Sequence, residues 1–166
     1  MPTAISRLRG LTVADLMTPH VVLANAHESM DSLATKLLDC RISAAPVIDE
    51  SGRLVGIISA NDFLRRDVES EDHPLQYSEK GGAWEIQRNC PDTARSHMTG
   101  TIQTVSPTAS LAEAAKIMTT LHIHHLPVLD DHDHVAGMLS AIDIVAAVLN
   151  VIEEQDVQQN AQHDAQ

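Results

Sequence analysis

Gly56-Ile57-Ile58-Ser59-Ala60-Asn61-Asp62 returns 81 residues later as Gly137-Met138-Leu139-Ser140-Ala141-Ile142-Asp143. In each stretch a glycine permits close approach, two apolar residues follow it, and an aspartate stands three places after a serine. The apolar part reads as the end of a strand and the Ser-x-x-Asp part as the opening of a helix. Two readings of the polar residues stand. In one, Ser59 and Ser140 are helix N-caps, and Asp62 and Asp143 are favourable first-turn acids. In the other, the helix N-terminus offers N–H groups and a positive dipole end to an anion, while the carboxylate accepts hydrogen bonds from a diol such as a ribose. The second occurrence, behind the same kind of strands, favours the ligand reading.

Working outward, setting Met17 on Met98 aligns residues 17–66 with 98–147 without a gap, and twelve of the fifty pairs are identical. Composition alone would give roughly three or four. The chain is an internal duplication. Each copy starts with a short apolar run, residues 21–24 or 102–105, which predicts a strand. An amphipathic helix follows, with Met30, Leu33, Ala34 and Leu37 on one face of the first copy and Leu111, Ala114, Ala115 and Met118 on that of the second. Ser29 and Ser110 stand where N-caps belong, and Ser110-Leu111-Ala112-Glu113 fits a capping box. Strands at 45–49 and 54–59, and at 126–130 and 135–140, are joined by turns short enough for antiparallel hairpins. A last helix begins at Ala60 or Ala141.

The unit is therefore β-α-β-β-α, and the fold class α/β (α+β). One copy of about fifty residues would be marginal alone. Two copies packed with pseudo-twofold symmetry close a shared core and create two equivalent clefts, places where ligands are usually found. The expected organisation is a first motif at 12–68, a polar connector at 69–93 with Trp84 as its bulky anchor, a second motif at 94–152, and a disordered tail at 153–166 rich in Gln, Asp and Asn. Residues 1–12 are expected to pack on the module as a strand or helix.

The 166 residues carry 23 acidic and 11 basic side chains, a formal charge of −12 with 2% aromatic residues. That charge opposes phosphate backbones, and Phe63, Tyr77 and Trp84 are too few to form stacking platforms, so a nucleic acid polymer is not the expected partner. Residues 1–10 lack the apolar core of a secretion signal, and the apolar run 144–149 is too short to span a bilayer. Cys40 and Cys90 have no metal-ligand spacing and read as reduced thiols. A cytoplasmic protein is expected, without membrane attachment.

The ordered set of motifs resembles a tandem pair of CBS domains, a Bateman module, over roughly residues 12–150. The signals are Leu16-Met17-Thr18 and His97-Met98-Thr99 before the first strand, Ala45-Pro46-Val47-Ile48-Asp49 and Leu126-Pro127-Val128-Leu129-Asp130 in the second strand, and the two Gly-x-x-Ser-x-x-Asp segments. The resemblance implies that adenosine compounds such as AMP, ADP, ATP or S-adenosylmethionine bind in the two clefts as regulatory ligands, with no required cofactor. It implies that Asp62 and Asp143 hold ribose hydroxyls and that Ser59 and Ser140 assist the phosphates. Each cleft would be completed by the residues before the Pro-Val of the other copy, setting Ile123, His124 and His125 opposite Asp62, and Ile42, Ser43 and Ala44 opposite Asp143. Thr18, Val22, Thr99 and Gln103, around the first strands, would be weaker candidates for holding the base.

One departure bears on ligand charge. Many family members have an arginine directly after the motif serine, where this chain has Ala60 and Ala141. His125, if protonated, would supply some positive charge, which would suit the Asp62 cleft better to a phosphate and favour monophosphates or nucleosides over triphosphates. His122, His124, His125, His132 and His134 with Asp130, Asp131 and Asp133 read as cleft and turn residues, since strand alternation and the solvated hairpin turn separate them; no metal site is expected. No nucleophile stands beside an oriented base, so no enzyme is expected. Ile142, Ile144, Val145, Val148, Leu149 and Ile152 exceed one narrow helix stripe and read as core plus a helix contact with a second subunit. The resemblance supports such a homodimer. With no effector domain attached, the output would lie in a separate, unknown partner protein. The competing expectation is an empty-clefted dimerisation scaffold.

Overall fold

The computed structural model describes residues 3–71, 76–77, 84–85 and 91–163. In chain order the elements are α1 (Ala4–Gly10), α2 (Val13–Leu16), β1 (Thr18–Pro19), β2 (Ala24–Asn25), α3 (Met30–Cys40), β3 (Ala44–Ile48), β4 (Leu54–Ser59), α4 (Ala60–Glu71), β5 (Gln76–Tyr77), β6 (Trp84–Glu85), α5 (Ala94–His97), α6 (Leu111–Leu121), β7 (His125–Leu129), β8 (Val135–Ser140) and α7 (Ala141–His163). Strands and helices alternate as an α+β tandem repeat requires.

Two compact units emerge, and they do not coincide with the two sequence copies. One is continuous, Val22–Ile102; the other joins Met1–Val21 to Gln103–Gln166. In the continuous unit β2 pairs parallel with β3, and β3 pairs antiparallel with β4. In the discontinuous unit β7 pairs antiparallel with β8, and β1 adds to the far edge of β8. Thus Thr18, which belongs to the first copy in sequence, lies against Met138 of the second, and Thr99 of the second copy likewise forms a bridge with Ile57 of the first. The glycines that recur in both copies explain how those segments come so close. A Cβ on Gly137 would stand 2.7 Å from the Thr18 carbonyl oxygen, and one on Gly56 would overlap the Met98 side chain.

The offset of 81 residues holds down to backbone detail. Ser29 and Ser110 cap α3 and α6 by accepting from the Ser32 and Glu113 N–H groups, a device of about 1 kcal/mol each. Both helices end on a left-handed residue, Arg41 or His122, at φ 53°. Both hairpins carry an irregularity at the same place, between Val47 and Ile48 and between Val128 and Leu129. Asp49 and Asp130 close the hairpin turns by accepting from the second and fourth N–H groups beyond them.

Each unit has its own core. Met30, Leu33, Ala45, Val47 and Ile58 are fully buried in one; Val13, Ala114, Leu126, Val128 and Leu139 in the other. Burial on this scale is the main stabilising force, at about 1.5–3 kcal/mol for each large apolar side chain.

Three expectations need correction. The strand expected at 21–24 is confined to Ala24–Asn25, and that at 102–105 shrinks to a single bridge between Val105 and Val128. Proline explains the shorter pairing: Ala26 donates its N–H to the Ile48 carbonyl, whereas its counterpart Pro107 has no N–H to give. The long hairpin strands begin and end within one residue of expectation. Finally, the polar tail is helical to His163, because α7 contains no glycine or proline and its Glu, Gln and Ala residues favour helix once it is nucleated. Helix α1, capped by Thr3, packs on α7, where Arg7 pairs with Glu154. Most of the connector, including Cys90, lies outside the described residues; Cys40 is exposed at the end of α3.

Candidate functional site

At the end of β4 and again at the end of β8, the chain turns from strand to helix through the Ser-x-x-Asp pattern. Asp62 Oδ2 accepts from the Ser59 N–H at 2.7 Å and from the Ser59 hydroxyl at 2.8 Å. Asp143 Oδ2 accepts from the Ser140 N–H at 2.7 Å and hydroxyl at 2.6 Å, and Ser140 Oγ in turn accepts from the Asp143 N–H at 3.3 Å. The two readings of these residues are therefore compatible. One carboxylate oxygen satisfies helix-start donors; the other, Oδ1, takes no part in the cap. Such a fixed carboxylate with one oxygen outside the cap can accept hydrogen bonds from a diol at little ordering cost.

The N-terminal N–H groups are less available to an anion than the sequence suggests. The Ala60 N–H donates to the Ser43 carbonyl, and the Ala141 N–H to the His124 carbonyl, each on the start of the neighbouring strand. These bonds place the residues before Pro-Val beside the motif of their own unit. Ala44 is buried across the ladder from Ser59, and half-buried His125 lies across from Ser140. Ser43 and His124 are exposed, while Ile42 and Ile123 pack at the edges of the two cores. Of the weaker candidates, Thr99 exchanges both backbone hydrogen bonds with Ile57, two residues from Ser59, and Thr18 sits opposite Met138, two residues from Ser140. Val22 and Gln103 are the first residues of their stretches of the two units; Val22 is half-buried and Gln103 exposed.

The electrostatics differ between the two motifs. Asp62 is 2% exposed, the buried charged residue among those described, and Arg65 Nη1 stands 3.4 Å from its Oδ1. Sequence reasoning missed this cation, although the i, i+3 spacing on one helix face was visible. Asp143 is half-buried and has Ala146 at the matching position. Its neighbour His125 does not supply the positive charge expected of it. Burial pushes the imidazole pKa down, the nearby His124 pushes it further, and Asp143 only partly opposes them. Burial therefore favours the uncharged ring.

Next to Arg65, Arg66 is 14% exposed and fully engaged: it grips Asp92 through Nε and Nη2 and reaches Asp31 at 2.9 Å, with His97 also on Asp92 at 3.1 Å. Its role is to fasten α4 to the start of α3 and to the segment entering α5. The histidines of the second hairpin turn, His132 and His134, are exposed, and no group of three or more metal-ligating side chains converges among the described residues. No described helix is long and apolar enough to cross a membrane.

This arrangement of exchanged β-α-β-β-α motifs, each ending in a serine-held aspartate, matches the family model of the CBS domain twice, over residues 13–69 and 94–150. The chain belongs to the CBS domain family and carries a tandem pair. It is 29% identical over 161 residues to the chloroplastic CBS domain-containing protein CBSX2 of Arabidopsis thaliana, covering 87% of this chain but 66% of that protein, so it spans just under two thirds of that relative. The crystal structure of CBSX2 in complex with AMP superimposes with a TM-score of 0.70 at 26% identity, covering 86% of this chain and 98% of that one. The CBS domain pair of protein MJ0100, crystallised with 5′-methylthioadenosine and S-adenosyl-L-methionine, shares the fold at a TM-score of 0.67 and 24% identity, covering 82% and 94%.

Proposed function

We propose that this chain is a regulatory CBS pair that binds adenosine-containing ligands, with Asp62 and Asp143 accepting the ribose hydroxyls and Ser59 and Ser140 holding those aspartates in place. The observation that carries this reading is the divided use of each carboxylate, Oδ2 in the cap and Oδ1 outside it. The AMP complex of CBSX2 supports adenosine as the ligand class. Thin positive charge favours monophosphates or nucleosides over triphosphates. The protein acts as a sensor rather than an enzyme: ligand binding shifts a conformational equilibrium that a separate partner protein reads through its differential affinity for the two states.

A second copy of the chain is the nearest partner. On α7, Ile144, Ala147, Val148 and Val151 turn toward the core, whereas Ile142, Val145, Leu149 and Ile152 form an exposed apolar stripe that suits a homodimer. The same stripe favours the competing reading of a ligand-independent dimerisation scaffold.

Melting curves with AMP, ATP, adenosine and S-adenosylmethionine separate the two. At a ligand concentration of about 100 Kd the wild type should gain about 2.7 kcal/mol, or roughly 5–10 °C. Asp62→Ala and Asp143→Ala should each lose part of that gain, measured against the variant's own unliganded melting point. A dimer that no adenosine compound stabilises would establish the scaffold, and ATP binding tightest without Mg²⁺ would overturn the preference for small phosphates.

A further inference from the structure

We propose that Arg65 makes the Asp62 site select anionic adenosine ligands, and that the Asp143 site, with Ala146 in the matching position, takes uncharged ones. This rests on the reading of both aspartates as ribose holders and adds which ligand goes where.

The argument starts from what Arg65 touches. Its guanidinium meets Asp62 at Oδ1, the oxygen that the serine cap leaves out and the one a ribose must approach. The side chain is 58% exposed, while the carboxylate it meets is 2% exposed. Arg65 therefore stands at the entrance to a buried acceptor, on a stem long enough to swing. Arg66 beside it has no such freedom, being held by Asp92 and Asp31.

A ribose hydroxyl that takes Oδ1 competes with this ion pair. An uncharged nucleoside gives the displaced guanidinium nothing in return. A nucleoside phosphate offers it two oxygens in the planar fork geometry that arginine prefers, so the lost pair is replaced by a stronger, charge-assisted one. The site thereby discriminates by ligand charge through one mobile residue.

The second site lacks each part of this device. Position 146 is alanine, no Lys or Arg forms an ion pair with Asp143 among the described residues, and His125 is held uncharged by burial. What remains is one uncompensated carboxylate, which repels a phosphate and accepts a neutral diol without penalty.

Calorimetric titration with AMP and with adenosine tests this on the wild type, Arg65→Gln, Arg65→Lys and Ala146→Arg. Arg65→Gln should weaken AMP at one of two sites by about tenfold or more, since charge-assisted hydrogen bonds are worth that much, while adenosine, relieved of the competing ion pair, binds there as well as before or up to about fivefold tighter. Arg65→Lys should lie between. Ala146→Arg should strengthen AMP at the other site, a gain that misfolding cannot mimic. Equal weakening of AMP and adenosine in Arg65→Gln would mean that Arg65 merely positions Asp62, and an unchanged AMP affinity would mean that it does nothing for phosphate. Either result overturns the proposal and leaves the ribose reading intact. If the wild type binds neither AMP nor adenosine, the ribose reading falls first and this proposal with it.

Discussion

In the first copy Ala24, Leu33 and Ala45 are buried together; in the second their counterparts are Val105, Ala114 and Leu126. The bulk has moved from the helix to the strands while caps, turns and ladder register stayed in place. Cores tolerate such exchanges when total volume is kept. The polar positions have diverged as well. Arg65 and Arg66 answer to Ala146 and Ala147, and Ala44 to His125. One backbone plan thus supports two differently packed and differently charged sites, and the differences can be undone one residue at a time.

The largest effect should follow from giving the first core the second core's helix residue. Leu33→Ala is expected to cost about 2–5 kcal/mol, read as a lower urea midpoint. If the cores are alternative distributions of one volume, adding Ala45→Leu restores part of that loss; a double variant no more stable than the single one would break the comparison.

Arg66→Ala should come next. It strips the shared cation from exposed Asp31 and from half-buried Asp92, which keeps His97. About 2 kcal/mol is expected, below the cost of a fully buried pair because Asp31 faces solvent. Denaturant titration measures it, and a loss under about 0.5 kcal/mol would show that α4 is fastened by packing alone.

The smallest effect is a pH dependence confined to the second copy. With its folded pKa below the ordinary value of 6.5, His125 takes up a proton more readily in the unfolded chain. Its contribution is therefore fully present above about pH 6.5 and falls away as the pH drops toward the folded pKa. His125→Ala, copying Ala44, should flatten melting temperature between pH 7 and 5 relative to the wild type. An unchanged slope would assign that dependence to other groups.

Much of this plan was legible in the sequence because it is written in local signals. Ser29, Ser110, the Pro-Val strands and the Gly-x-x-Ser-x-x-Asp segments each specify geometry through neighbours a few residues away. The exchange of Thr18 and Thr99 between copies was not legible, since a two-residue strand has too little pattern to announce its partner. Nor was the state of His125, which depends on burial rather than on residue type. Arg65 was not legible for a similar reason: an arginine three places after an acid on a helix is ordinary surface pairing unless that acid is buried, as Asp62 is. The helical stretch beyond Glu153 was hidden by composition, because Gln, Asp and Asn signal disorder in isolation yet continue a helix that is already formed.

The way the chain is divided also orders its assembly in time. Val22–Ile102 is one uninterrupted stretch, whereas its companion is built from both sides of it. During synthesis the inner unit is complete while β7, β8 and α7 are still unmade. Helices α1 and α2, made before the inner unit, must wait about 100 residues for the strands and helix they pack on. The segment before Val22 can reach its own partners only after β3 and β4 have been made, so the order of synthesis leaves the inner hairpin time to pair within its own unit first.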